Sequence, residues 1–135
     1  MREQAIYNTH SNVVSINNGA ECMDNKGNIV AIDEVLVATE IATLQSEALT
    51  KHITELVQKH LDTVAQGMRY DNIYTAISYI GDPDTTFHNE GTQLRDWRSA
   101  VWIYVNTEVT KVGLGQRTTP SDAELIAELP LVKNY

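Results

Sequence analysis

The sequence predicts an α+β fold that is predominantly α-helical: an N-terminal β-meander, then a long helix, then a small helical bundle. Three observations carry this. Over the first 32 residues, short β-rich stretches are separated by turn residues, with no helical periodicity. From Val35 to about Gln66 there is neither Gly nor Pro, and Ala, Leu, Glu, Gln and Lys dominate, which favours one long helix. Beyond that, apolar residues recur at helical spacing in segments punctuated by Gly and Pro. The expected division is a meander over 1–32, acting as a docking segment, and a helical domain over 33–135.

In order along the chain, Asn12 to Ile16 reads as a strand. It stops at Asn17-Asn18-Gly19, whose residues tolerate the left-handed backbone of a tight turn. Ala20 to Met23 is a second strand. In Asp24-Asn25-Lys26-Gly27 the Asp opens a type I turn and the Gly closes it, so that Asn28 to Ile32 returns as a third strand. A unit this short needs a helix over its apolar face. Asp33 is the expected N-cap of that helix, with Glu34 in the first turn where the helix dipole favours an anion. Its apolar positions are Val37, Ile41, Leu44 and Ala48, then His52 or Ile53, Leu56, His60, and Leu61 or Val64. They recur every ~3.8 residues, longer than the period of a straight helix, so the stripe drifts. Either the helix kinks near Ser46-Glu47 or its halves face different neighbours.

After Gly67, a second helix carries Tyr70, Ile73, Tyr74, Ile77 and Ile80 on one stripe and ends at Gly81. Asp82 to Thr86 is loop by composition, since Pro83 pushes Asp82 out of the helical region. A third helix, from about Asn89 to Val112, gathers Leu94, Trp97, Val101, Tyr104, Val105, Val109 and Val112 within an arc of roughly 160 degrees. Those residues through Val105, together with Ile73, Tyr74 and Ile77, are the expected core. Gly113 suits a left-handed cap, and Ser121-Asp122-Ala123-Glu124 forms a capping box for a fourth helix carrying Leu125, Ile126 and Leu129. Pro130 closes it, leaving 131–135 as a tail.

Composition bounds the function. With 135 residues, 42% of them hydrophobic, the chain can bury a core without a metal or disulfide. The single Cys22 and a start without the apolar stretch of a signal peptide point to the cytoplasm as the place of synthesis. No apolar run is long enough to span a bilayer, so no membrane partner is expected. Eighteen acids against ten scattered bases give a net charge of −8 and disfavour nucleic acid.

Chemistry is equally sparse. His52 and His60, the two histidines of one helix, are ~12 Å apart along its axis, too far for one ion. Asp24 to Asn28 lacks the ligands of a calcium loop, and Gly113-Leu114-Gly115 lacks the third Gly and the strand of a dinucleotide fingerprint. No metal, cofactor or catalytic residue is assigned. Glu90, Asp96 and His88 are the positions a small enzyme would have to use. The expected contact surfaces are Val13, Val14 and Ile16 on the meander edge, Val37, Ile41 and Leu44 as a seam for a like helix, and Trp102 and Ile103 at and beyond the edge of the core arc. Such seams imply a homo-oligomer.

From Tyr70 to Pro130 the chain also resembles a family. Arg69-Tyr70-Asp71-Asn72-Ile73, Ser78-Tyr79, Glu90-Gly91, Trp97-Arg98-Ser99-Ala100-Val101-Trp102 and Glu124 to Pro130 are similar to small bacteriophage proteins whose genes tend to lie beside tail-fibre genes. His10, Asn12-Val13-Val14 and Asp24-x-x-Gly27-Asn28 look like the strand-rich lead of some members. The resemblance implies a virion component of the tail region that contacts other tail or fibre proteins, or a transient assembly chaperone, and implies no enzyme.

Overall fold

A computed structural model describes residues 1–17 and 20–135, and helix makes up 65% of it beside one small antiparallel sheet. The chain forms two compact units, Met1–Lys51 and His52–Tyr135. Helix α1 (Arg2–Thr9), strands β1 (Ser15–Asn17) and β2 (Glu21–Met23), and the first half of α2 (Glu34–Gly67) make the first. The second half of α2 with α3 (Ile73–Ser78), α4 (Thr85–Gly113), α5 (Asp122–Glu128) and a 3-10 turn at Val132–Asn134 makes the second.

The first unit opens on a helix where the sequence pattern suggested none. Its eight residues carry no strong stripe, and isolated helices this short are marginal in water. Burial of Ala5 and Ile6, both fully shielded from solvent, sustains it. They pack with Val13, Cys22 and Val37, and Ile16, Val30, Ile32, Ile41 and Leu44 lie half-buried against that cluster. Val13 and Val37 are therefore core residues, a correction to their expected place on a contact surface. Ile16, Ile41 and Leu44 are largely engaged by the same core, while Val14 is exposed.

Strands β1 and β2 pair in the register Ser15↔Met23, Ile16↔Cys22 and Asn17↔Glu21. Of the Asn17-Asn18-Gly19 turn, Asn18 and Gly19 lie outside the described residues. The expected third strand reduces to one bridge, Met23↔Ile29, and a 2.7 Å bond from the Val30 N–H to the Cys22 carbonyl. The reason is local. Asp24 accepts the N–H groups of Lys26 and Asn28 at 2.8 and 2.9 Å and the Asn28 side-chain amide at 3.0 Å, while its own N–H donates to the Asn28 carbonyl at 2.9 Å, so side-chain bonds take up the start of the returning segment and the ladder beyond it is short. These bonds hold the Asp24 carboxyl below its usual range, the Asn28 side chain contributing most. Gly27, at φ +80°, closes the turn as expected.

Asp33 caps α2, its Oδ1 accepting the N–H groups of Val35 and Leu36 at 3.0 and 3.1 Å. The two halves of α2 bury different positions. Val37 belongs to the first core, whereas Ile53, Val57, Leu61 and Ala65 line the second at four-residue spacing, and residues 45–48 between them are exposed. Each half of the apolar stripe is thus claimed by the core of its own unit.

In the second unit Leu94, Trp97, Val101, Val105 and Ile73 are buried as expected. Ile77 and Tyr104 are half-buried, and Tyr74 is a correction: it is 56% exposed, because α3 turns Ile73 and Ala76 inward. Helix α4 starts at Thr85, inside the expected loop, since Asp84 accepts the N–H groups of Thr86 and Phe87 at 2.9 and 3.2 Å and so nucleates an earlier first turn. At its other end Gly113 is still helical and Gly115, at φ +70°, takes the left-handed position. The capping box of α5 is present in both directions. No helix among the described residues is long and apolar enough to cross a membrane.

A polar network joins α4 to α5. Glu108 is buried and accepts from Lys111 at 2.6 Å and from Arg117, which also grips Glu128 at 2.7 and 2.8 Å. The Tyr104 hydroxyl donates to Glu128 at 2.8 Å. Lys111 and Arg117 hold the Glu108 carboxyl below its usual range.

At Gly91 the backbone of α4 comes close to α3. A Cβ built there lies 2.7 Å from the Ala76 carbonyl oxygen and 3.3 Å from Ile80. Ala is the better helix former by up to ~1 kcal/mol, yet overpacking against backbone costs ~1–3 kcal/mol. Gly91→Ala is therefore expected to lower the urea midpoint. A midpoint at or above that of the parent chain would contradict this packing.

Candidate functional site

The second unit carries its most distinctive side chains where α2 turns into α3 and along the exposed flank of α3 and α4. Helix α2 ends with the Tyr70 N–H donating to the Ala65 carbonyl at 3.1 Å, and the reversal places Arg69 at φ +72°. Gly is the usual residue at such a position, and a side chain there is strained. The turn delivers Tyr70 to the α4 surface, where its hydroxyl donates to Glu90 at 2.5 Å.

Around this bond the rings of Tyr70 and Tyr79 lie 5.6 Å apart and those of Tyr79 and Phe87 5.1 Å apart. With Arg69, Thr86 and Glu90 they line an open cleft of about 560 Å³. Burial, then the bond to Glu90, pushes the Tyr70 phenol up to about 12. At neutral pH it is a donor held on Glu90, and the cleft sets its aromatic rings beside the polar side chains of Arg69, Thr86 and Glu90.

The flank of α3 and α4 presents Tyr74, Arg98 and Trp102. The Arg98 guanidinium carbon stands 5.2 Å from the centre of the Tyr74 ring. Trp102, one turn further on α4, is half-buried, and Ile103, 66% exposed, projects from the helix beyond the core-facing residues. Of the expected contact residues, Trp102, Ile103 and Val14 thus retain accessible surface. Arg98 and Tyr74 were not legible as a pair, because a stacking partner 24 positions away leaves no mark on either helix's periodicity.

Each histidine is engaged by a neighbour. His10 Nε2 accepts the Asp33 N–H at 2.9 Å, and His88 Nδ1 accepts the Gly81 N–H at 2.8 Å. His52 meets Asp122 at 2.8 Å, and His60 lies edge-on to Trp97 at 5.8 Å. Glu90 holds Tyr70 and Asp96 accepts from Arg95 at 2.8 Å, so Glu90, Asp96 and His88 serve three different local contacts. Among the described residues no group of three or more His, Cys, Asp or Glu is placed to hold a metal ion.

Burial lowers the affinity of His60 for a proton below the usual histidine range. The unfolded chain then takes up this proton first as pH falls, so stability contributed by neutral His60 is present above the unfolded value of 6.5 and is lost as pH falls through the lower, folded one. Urea midpoints measured at falling pH should therefore decline from about 6.5 downward, and His60→Gln should flatten that part of the curve. An unchanged slope in the variant would assign the effect elsewhere.

No family model, curated protein or solved structure matches this chain.

Proposed function

We propose that this chain is a non-enzymatic structural protein of a bacteriophage tail or tail-fibre region, acting by protein–protein contact in virion assembly. The observation that carries the contact role is the accessible aromatic and apolar surface of the second unit: Tyr74, Phe87 and Ile103 are exposed, and Trp102 and Tyr79 are half-buried. Single exposed apolar residues are ordinary on any surface, but Tyr74 stacked on Arg98, with Trp102 one helical turn from Arg98, combines the residue types that binding faces favour. Placement in a phage tail rests on the resemblance of Tyr70–Pro130 described above. On this reading the partners are other tail or fibre proteins and further copies of the chain, with neither nucleic acid nor membrane involved, and no cofactor is used. The protein is made in the bacterial host cytoplasm and resides in the virion.

Mass spectrometry of purified particles tests the reading. Presence at a fixed ratio to the fibre protein is the expected result. Absence from the particle, with binding to the fibre before assembly, would replace it with a transient assembly chaperone, and absence from both would remove the tail role.

A further inference from the structure

We propose that the face of α3 and α4 bearing Tyr74, Arg98 and Trp102 receives a carboxylate from a short acidic and apolar segment of a second protein. The proposal rests on the contact role above and adds the chemistry of the partner. Arg98 differs from the arginines that are neutralised within the chain. Arg2 pairs with Glu34 at 2.8 Å, Arg95 with Asp96 at 2.8 Å, and Arg117 with Glu108 and, at 2.7 Å, with Glu128. No described carboxylate pairs with Arg98, and its Nε is buried without an acceptor.

The Tyr74 ring, 5.2 Å from the guanidinium carbon, steadies the group by its face. Stacking of this kind leaves the terminal N–H groups of an arginine for forked binding of a carboxylate, with less ordering to be done on contact. Trp, Tyr and Arg are also the residue types that dominate binding energy at protein interfaces. The net charge of the chain bears on the kind of partner. The chain carries −8, which repels a polyanion, so the matching segment is a single carboxylate flanked by apolar side chains that cover Tyr74 and Trp102.

The test is a nitrogen-15 NMR titration of the full chain with two capped peptides, acetyl-Leu-Glu-Phe-amide and acetyl-Leu-Gln-Phe-amide. The Arg98 Nε–H and Trp102 Nε1–H signals are expected to move together with the Glu peptide, with Kd in the region of ~1 mM for so short a probe. The Gln peptide, and Arg98→Gln with the Glu peptide, should each bind about tenfold more weakly. The Arg98→Lys variant should fall between them, since it keeps the charge and loses the fork; it decides the matter if Arg98→Gln does not fold. A still Arg98 signal at about 10 mM of the Glu peptide, or unchanged binding by the folded variants, overturns the proposal. Equal binding of both peptides at Trp102 overturns the carboxylate while leaving a contact face, which separates this failure from that of the contact role.

Discussion

Trp97→Ala should destabilise the second unit by about 3–5 kcal/mol, the range for truncating a buried aromatic side chain. Trp97 is only 1% exposed. Its indole N–H donates to the Pro130 carbonyl at 2.7 Å, and the ring meets His60 edge-on, so one side chain links α4 to the segment after α5 and to α2. The substitution leaves a cavity and removes the donor from a carbonyl at the same time. Urea unfolding followed by circular dichroism reads the effect as a lower midpoint. Ile103→Ser, at a position 66% exposed, is the control and should stay within about 0.5 kcal/mol of the parent chain. Equal shifts for the two variants would mean that α4 is turned differently about its axis.

Ile6→Ala should cost about 2–5 kcal/mol in the first unit, where cavity formation adds to lost burial. Ile6 is fully buried in a cluster of five buried residues, so little else can close over the gap. Hydrogen exchange gives a unit-by-unit reading. Protection should fall in α1, β1 and β2 and hold in the middle of α4, whose core contains none of the affected side chains. A matching loss in α4 would show that the two units open as one. The same packing bears on deletion of residues 1–32, which would strip the cover from Val37, Ile41 and Leu44. Any change in self-association of that truncated chain would then report newly uncovered core as readily as a lost docking segment.

The sequence by itself determined what depends on neighbours along the chain. The Asp33 cap, the type I turn at Asp24 to Gly27, the capping box at Ser121 and Glu124, and the buried stripe of Leu94, Trp97, Val101 and Val105 each follow from backbone donors satisfied within a few residues or from helical period. The mostly helical class followed from the same signals. Tertiary structure decided the rest, where the deciding contact comes from far along the chain. Helix α1 exists through burial of Ala5 and Ile6, and Val13 and Val37, apolar in the same way as a free contact residue, are claimed by the core those two begin. The fate of Tyr74 shows the same limit. Its spacing matches a core stripe, but α3 ends at Ser78 and its short inward face is filled by Ile73 and Ala76, which leaves the Tyr74 ring outside against Arg98. A hydrophobic period states that a face will be covered, and only the packed chain decides what covers it, because that cover is a surface assembled from distant segments.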